Sequence, residues 1–135
     1  MYGINYLACV VVAFIGLMLG WFWYSEGVFG TKWMKLSNIK KSKKKPSAGE
    51  MLPPMFGNLI CQFLMAVVFS FLLSSLGWSG VGYALVLGLV LWIGFVGTIL
   101  MNTVFWEQKP ISLYLINAGY HLVMILIMAF IIGIW

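Results

Sequence analysis

"ISLYLINAGYHLVMILIMAFIIGIW", residues 111–135, decides the fold. From Ile111 to Trp135 it carries no Lys, Arg, Asp or Glu. At about 1.5 Å per residue, a helix of this length covers the roughly 30 Å of hydrocarbon in a bilayer. Three further runs of the same kind precede it, from Ile4 to Tyr24, Met55 to Leu76 and Gly80 to Phe105. Composition agrees: 63% hydrophobic residues, 8% charged residues and a mean hydropathy of +1.03 lie far outside a soluble domain of 135 residues. Barrel strands would alternate polar and apolar residues over about ten positions. These runs do not, and a helical bundle remains as the spanning structure. The chain reads as an all-α integral membrane protein with one domain, residues 1–135, and a four-transmembrane-helix bundle. The spans are about 4–24, 55–76, 80–105 and 111–135, with a basic loop at about 25–54.

Lysine placement sets the orientation. Lys32, Lys35, Lys40, Lys41, Lys43, Lys44 and Lys45 lie between the first two spans, and Lys109 lies between the last two. Positively charged connections stay in the cytoplasm, so both termini are expected outside, N-out and C-out across a bacterial inner (cytoplasmic) membrane. The first segment lacks a basic n-region and a small-residue cleavage site, and is expected to be a retained helix.

The loop core, "NIKKSKKKPSAG", has two readings. It is a solvated topology signal, or Lys40, Lys41, Lys43, Lys44 and Lys45 bind anionic lipid headgroups at about 1 kcal/mol each. The net charge of +5 is explained by topology, and no aromatic residues interleave the lysines, so no nucleic-acid partner is expected. The preceding "GWFWYSEGVFGTKWMK", residues 20–35, is expected to end the first helix in an interfacial turn. Trp21, Trp23, Tyr24 and Trp33 would anchor it at headgroup level, and Gly27 and Gly30 would permit the bend.

Each span carries one small or polar stripe: Cys9, Ala13, Gly16 and Gly20; Asn58, Gln62, Ala66, Ser70 and Ser74; Gly94, Gly97, Thr98, Met101 and Asn102; Tyr114, Asn117, His121, Met124 and Met128. Such stripes are where membrane helices pack. Measured from the cytoplasmic ends, Asn58 and Asn102 lie about 6 Å deep, Asn117 about 10 Å, Gln62 and Thr98 about 12 Å, and His121 about 16 Å. Asn58, Gln62, Thr98, Asn102, Asn117 and His121 are therefore expected to share one region. They would either clasp one another or line an inward-facing polar pocket with His121, the sole histidine, at its deep end. Without an acidic neighbour in the spans the imidazole is expected to be neutral, serving as a structural donor or as a working group. Glu26 and Glu107, at the cytoplasmic ends of the odd-numbered spans, are candidates for the mouth of that pocket. Cys9 and Cys61 fall at different depths, too far apart for a disulfide. No metal-ligand set, nucleophile constellation or cofactor motif is present, so neither a metal, a cofactor nor an enzyme is expected.

"GLMLGWF" from Gly16 echoes "GLVLWIGF" from Gly88, and Asn58/Gln62 match Asn117/His121 in spacing. This is the pattern of two parallel-repeat helical hairpins. "GWFWYSEGVFGTKWMK" together with "LWIGFVGTILMNTVFWEQKPISLYLINAGYHLV", residues 91–123, resembles the signature regions of domain of unknown function 1761, a family of small bacterial membrane proteins. The resemblance spans nearly the whole chain and implies a compact four-helix membrane domain, with no activity attached. Glu26 stands where that pattern has Pro. Small multidrug exporters share the four short spans but depend on a carboxylate in the first helix, which this chain lacks. Two functional readings follow: a homo-oligomeric transporter or channel-like bundle, or a non-catalytic accessory subunit packed into a larger membrane complex.

Overall fold

The computed structural model describes residues 3–37 and 48–135, and among them every regular element is helical. Helix α1, Tyr6–Trp23, starts where the Asn5 side chain accepts the Ala8 N–H at 3.1 Å, satisfying one of the donors a helix start leaves open. A short α2, Gly30–Leu36, follows in the connection. Helix α3, Ala48–Ser75, leads through a turn with positive φ at Gly77 and Gly80 into α4, Val81–Leu91. The third span continues as a π-helical stretch, Trp92–Gly97, and then α5, Thr98–Phe105. Helix α6, Ile111–Ile134, closes the chain.

Four segments are long and apolar enough to cross a membrane: Tyr6–Trp23, Gly49–Ser75, Val81–Phe105 and Ile111–Ile134. Within the apolar 18-residue stretch of each, only 22–39% is buried in the bundle. The remaining surface is covered by side chains such as Phe14, Leu64, Phe95 and Leu115, which suits contact with hydrocarbon. The Lys40, Lys41, Lys43, Lys44 and Lys45 cluster lies outside the described residues.

The second span begins earlier than the sequence suggests. Met55 was the expected start, yet the helix runs back to Ala48 and takes Pro53 and Pro54 into its second turn. The prolines lack only the N–H groups that would bond Gly49 and Glu50, whose carbonyls sit at the exposed end of the helix where water can serve them. The polar connection is shorter accordingly.

Helices α1 and α3 pack as one hairpin and the α4–α5 span and α6 as another. The hairpins join chiefly through α1 and α6. Cys9, Val12, Phe69 and Met124 are fully buried between them. Close approach is set by glycine: a Cβ on Gly133 would lie 2.8 Å from the Val81 backbone, and one on Gly88 3.0 Å from Ile125. Aromatic groups then tie α6 on both sides. Trp23 Nε1 donates to the Ile116 carbonyl at 2.9 Å and Trp92 Nε1 to the Ala118 carbonyl at 3.0 Å. Tyr114 donates back to the Gly97 carbonyl at 3.0 Å.

Candidate functional site

The site grows from the end of α1. Ser25 turns the chain, its carbonyl accepting Val28 N–H at 3.1 Å and Gly30 N–H at 2.8 Å. A Cβ at Gly30 would overlap the Tyr24 carbonyl and lie 2.7 Å from that of Ser25, so this turn requires glycine. Gly27, expected to share that role, has open space around it. The turn folds α2 back so that Trp33 meets Tyr24 nearly edge-on, ring centroids 5.3 Å apart. Tyr120 of α6 closes the other side, 5.5 Å from Tyr24. With Trp21 from α1 and Met55 and Asn58 from α3, these rings surround a cavity of about 380 Å³.

Its hydrogen bonds are directional. Tyr24 donates to Asn117 Oδ1 at 2.7 Å, and Tyr120 donates to the Gly16 carbonyl at 3.1 Å. Gln62 Nε2 in turn donates to the Tyr120 oxygen at 3.4 Å. Each phenol has one hydrogen, and both are used. The cavity therefore meets phenolic lone pairs, aromatic faces, the indole N–H groups of Trp21 and Trp33 and the Asn58 amide, with no charged side chain among the described residues of its lining. Beneath lies Gln62, 5% exposed, whose Oε1 is buried without a hydrogen-bond partner among the described residues. Gly16 admits it: a Cβ there would meet Gln62 Cδ and Met124 Cε at 3.0 Å.

The residues expected to share one pocket divide. Asn58 lines the cavity, Gln62 lies behind it and bonds the lining residue Tyr120, and Asn117 holds Tyr24. His121 is half-buried beside the site, its ring edge-on to Tyr120 at 5.1 Å. Thr98 and Asn102 do not join them: both are exposed, and the Thr98 hydroxyl bonds its own helix at Gly94. The π-helical stretch is the reason. Continued at 3.6 residues per turn, the buried Ala84 and Gly88 project to Thr98 and Asn102. The wider turn instead brings Gly97 inside and leaves those two facing out. Glu26 and Glu107 are exposed in the two connections at this end, outside the cavity lining. Tyr24 and Trp33, expected only as headgroup anchors, prove to be cavity walls, and Tyr120 was not anticipated. Its place four residues from both Ile116 and Met124, on the face that becomes buried, was the available signal.

A second, smaller cavity of about 210 Å³ opens at the opposite end of the bundle, among Asn5, Ala8, Ser70, Ser74 and Trp78. Both cavities lie along the seam of α1, α3 and α6. Between them Cys9, Val12, Ala66, Phe69 and Met124 fill the seam, each 2% exposed or less. A third cavity of about 360 Å³, lined by apolar residues alone, lies between α3 and the α4–π stretch. Cys9 and Cys61 are free thiols, and among the described residues no three His, Cys, Asp or Glu side chains come together.

The family model described as protein of unknown function (DUF1761) matches residues 7–133. The chain belongs to this family. No curated protein and no solved structure matches it. The match covers every element of the DUF1761 site, from Gly16 and Tyr24 to Tyr120, and brings no activity with it.

Proposed function

We propose that this DUF1761 chain is an integral protein of the bacterial inner membrane, N-out and C-out, which takes a small solute into the aromatic cavity from the cytoplasmic side and passes it along the α1–α3–α6 seam. One observation carries the reading: two cavities sit at opposite ends of one three-helix seam, and the packing between them holds a buried amide, Gln62, with an unpartnered acceptor. A seam built only for stability has no use for that acceptor, since leaving it unpaired costs about 1–3 kcal/mol. The filled middle argues for a carrier that opens to each side in turn, rather than a standing pore.

A carrier exposes its middle to both compartments. In a chain with Cys9 and Cys61 replaced by alanine, Gln62→Cys is expected to react with a membrane-impermeant maleimide in right-side-out and in inside-out vesicles. Labelling from one side only refutes carriage and leaves a binding protein. Labelling from neither side refutes the seam as a path.

The accessory-subunit reading draws support from a different feature, the apolar cavity between α3 and the α4–π stretch, which suits an apolar helix of another membrane chain. It predicts a foreign subunit retained at fixed stoichiometry in native mass spectrometry of gently extracted protein. A homo-oligomer carrying no other chain counts against it.

A further inference from the structure

The rings and phenolic oxygens of the cavity point to its ligand. Both tyrosine hydrogens are spent within the protein, on Asn117 Oδ1 and on the Gly16 carbonyl. A ligand that enters meets oxygen lone pairs at Tyr24 and Tyr120 and the faces or edges of Tyr24, Trp33, Trp21 and Tyr120. Those lone pairs accept hydrogen bonds and the ring faces attract positive charge. An anion or a carbonyl ligand would find the Asn58 amide and the indole N–H groups of Trp21 and Trp33 as donors, and no Lys among the described lining residues. Below, the unpartnered Gln62 Oε1 adds a further acceptor on the same seam.

Charged groups at this end of the bundle are of both signs. Lys32 and Lys35 are exposed on α2, and Glu26 and Glu50 are exposed on the α1–α2 turn and the first turn of α3. None of these four lines the cavity; Lys40, Lys41, Lys43, Lys44 and Lys45 lie outside the described residues, and among the described residues the lining offers rings and uncharged polar groups.

From this geometry we infer that the aromatic cavity is an organic-ammonium site: the cationic nitrogen of the ligand sits among Tyr24, Trp33 and Tyr120, with its donors or its polarised methyl groups toward the two phenolic oxygens. The inference rests on the cavity being the ligand site of the proposed carrier and names the class of solute it takes. An ammonium group reaches such a cavity from two sources, a soluble amine or the headgroup of an aminophospholipid in the surrounding leaflet.

The test uses the full chain in nanodiscs. In discs of phosphatidylglycerol alone, which has no nitrogen, equilibrium binding of choline and ethanolamine is compared with that of 3,3-dimethylbutan-1-ol, the uncharged isostere of choline. In discs containing phosphatidylethanolamine as well, native mass spectrometry reads which lipid the protein retains. Saturable binding of the soluble ammonium probes, with the isostere bound at least tenfold more weakly, supports the site and assigns a soluble amine. Selective retention of phosphatidylethanolamine without binding of the soluble probes supports it and assigns a lipid headgroup. In either case Trp33→Leu weakens binding by about 2- to 30-fold, the range of one cation–π face. Trp106→Leu, at an 83% exposed position outside the cavity, leaves binding unchanged and controls for general disturbance of the interface. Equal binding of choline and its uncharged isostere overturns the ammonium assignment while the cavity stands as a ligand site. No saturable binding of any probe and no lipid preference overturns both. An ammonium probe that binds unaffected by Trp33→Leu overturns the placement in this cavity.

Discussion

Tyr120→Phe removes one oxygen and keeps the ring. That oxygen donates to the Gly16 carbonyl at 3.1 Å and accepts from Gln62 Nε2 at 3.4 Å. Loss of the donated bond costs about 1 kcal/mol, and stripping the last partner from a buried amide adds about 1–3 kcal/mol. Unfolded helices in a membrane also find partners, which favours the lower part of the range, so a loss of about 2–3 kcal/mol is expected. Gln62→Met behaves differently. It gives up one long hydrogen bond but also removes an acceptor that already lacks a partner, so it is expected to stabilise by about 0.5–2.5 kcal/mol. The double variant has no orphaned amide left and is expected to be only about 1 kcal/mol less stable than Gln62→Met, leaving a coupling of about 1–2 kcal/mol between the two sites. Reversible unfolding in mixed dodecylmaltoside and dodecylsulfate micelles, followed by tryptophan fluorescence, measures all three. Additive costs, or a Gln62→Met variant as unstable as Tyr120→Phe, would refute the account of Gln62 as a partly satisfied group held by Tyr120.

Other consequences are checked in the same assay. Gly133→Ala drives a methyl against the Val81 backbone and is expected to cost about 1–3 kcal/mol, the range for overpacking, whereas Gly82→Ala meets nothing within 4 Å and is expected to be neutral or to stabilise α4 by about 0.5–1 kcal/mol. Trp92→Phe removes the N–H that reaches the Ala118 carbonyl at 3.0 Å and is expected to lose about 0.6–1.7 kcal/mol beyond its change in packing; an unchanged midpoint would count against that bond. Gln108 holds a φ of 54° in the turn before α6, so Gln108→Gly is expected to gain about 1 kcal/mol and Gln108→Val to lose stability. Thr98→Val and Asn102→Leu, on the outward face, are expected to leave choline binding within twofold of the parent, and a larger loss from either would place them in the site after all.

Much of the fold is legible because hydrocarbon demands long uncharged helices, and the small stripes of the first two hairpin helices mark true packing faces: Cys9, Ala13 and Gly16 on α1 and Gln62, Ala66 and Ser70 on α3 are buried. The third span misleads because periodicity was projected through it at a constant 3.6 residues per turn. One wider turn at Trp92–Gly97 rotates everything beyond it, and nothing in "WIGFVG" distinguishes a π turn from an α turn by pattern. The site was half legible for a different reason. Polar residues in a span draw attention because each needs a partner, which found Asn58, Gln62 and Asn117. The partners themselves are tyrosines, and a Tyr or Trp near a span end reads equally well as an anchor in the headgroup layer. Tyr24 and Trp33 belong to that depth and also line the cavity, so depth alone does not separate the roles.

The geometry also limits how ligand binding could open the seam. An ammonium group at the Tyr120 oxygen competes with Gln62 Nε2 for its lone pairs, and would loosen the contact that ties α3 to α6 behind the cavity. A ligand shifts a conformational equilibrium only by its difference in affinity for the two states. The Gln62–Tyr120 bond is long at 3.4 Å and contributes about 0.5 kcal/mol, a factor of roughly 2. Driving a carrier from about 1:99 to 99:1 takes about 5.5 kcal/mol. Displacing Gln62 is therefore too small an event to open the seam by itself. The remainder has to come from contacts that the ligand makes only once Tyr120 has also left the Gly16 carbonyl, which frees its hydrogen and lets α1 part from α6 at the glycine that packs against Gln62. Gln62 Oε1 is placed to gain most in that state, because it exchanges no existing hydrogen bond for the one that the ligand's donor brings. On this argument the unpaired acceptor belongs to the closed form as a stored deficit of about 1–3 kcal/mol, and satisfying it is the largest identifiable contribution to opening.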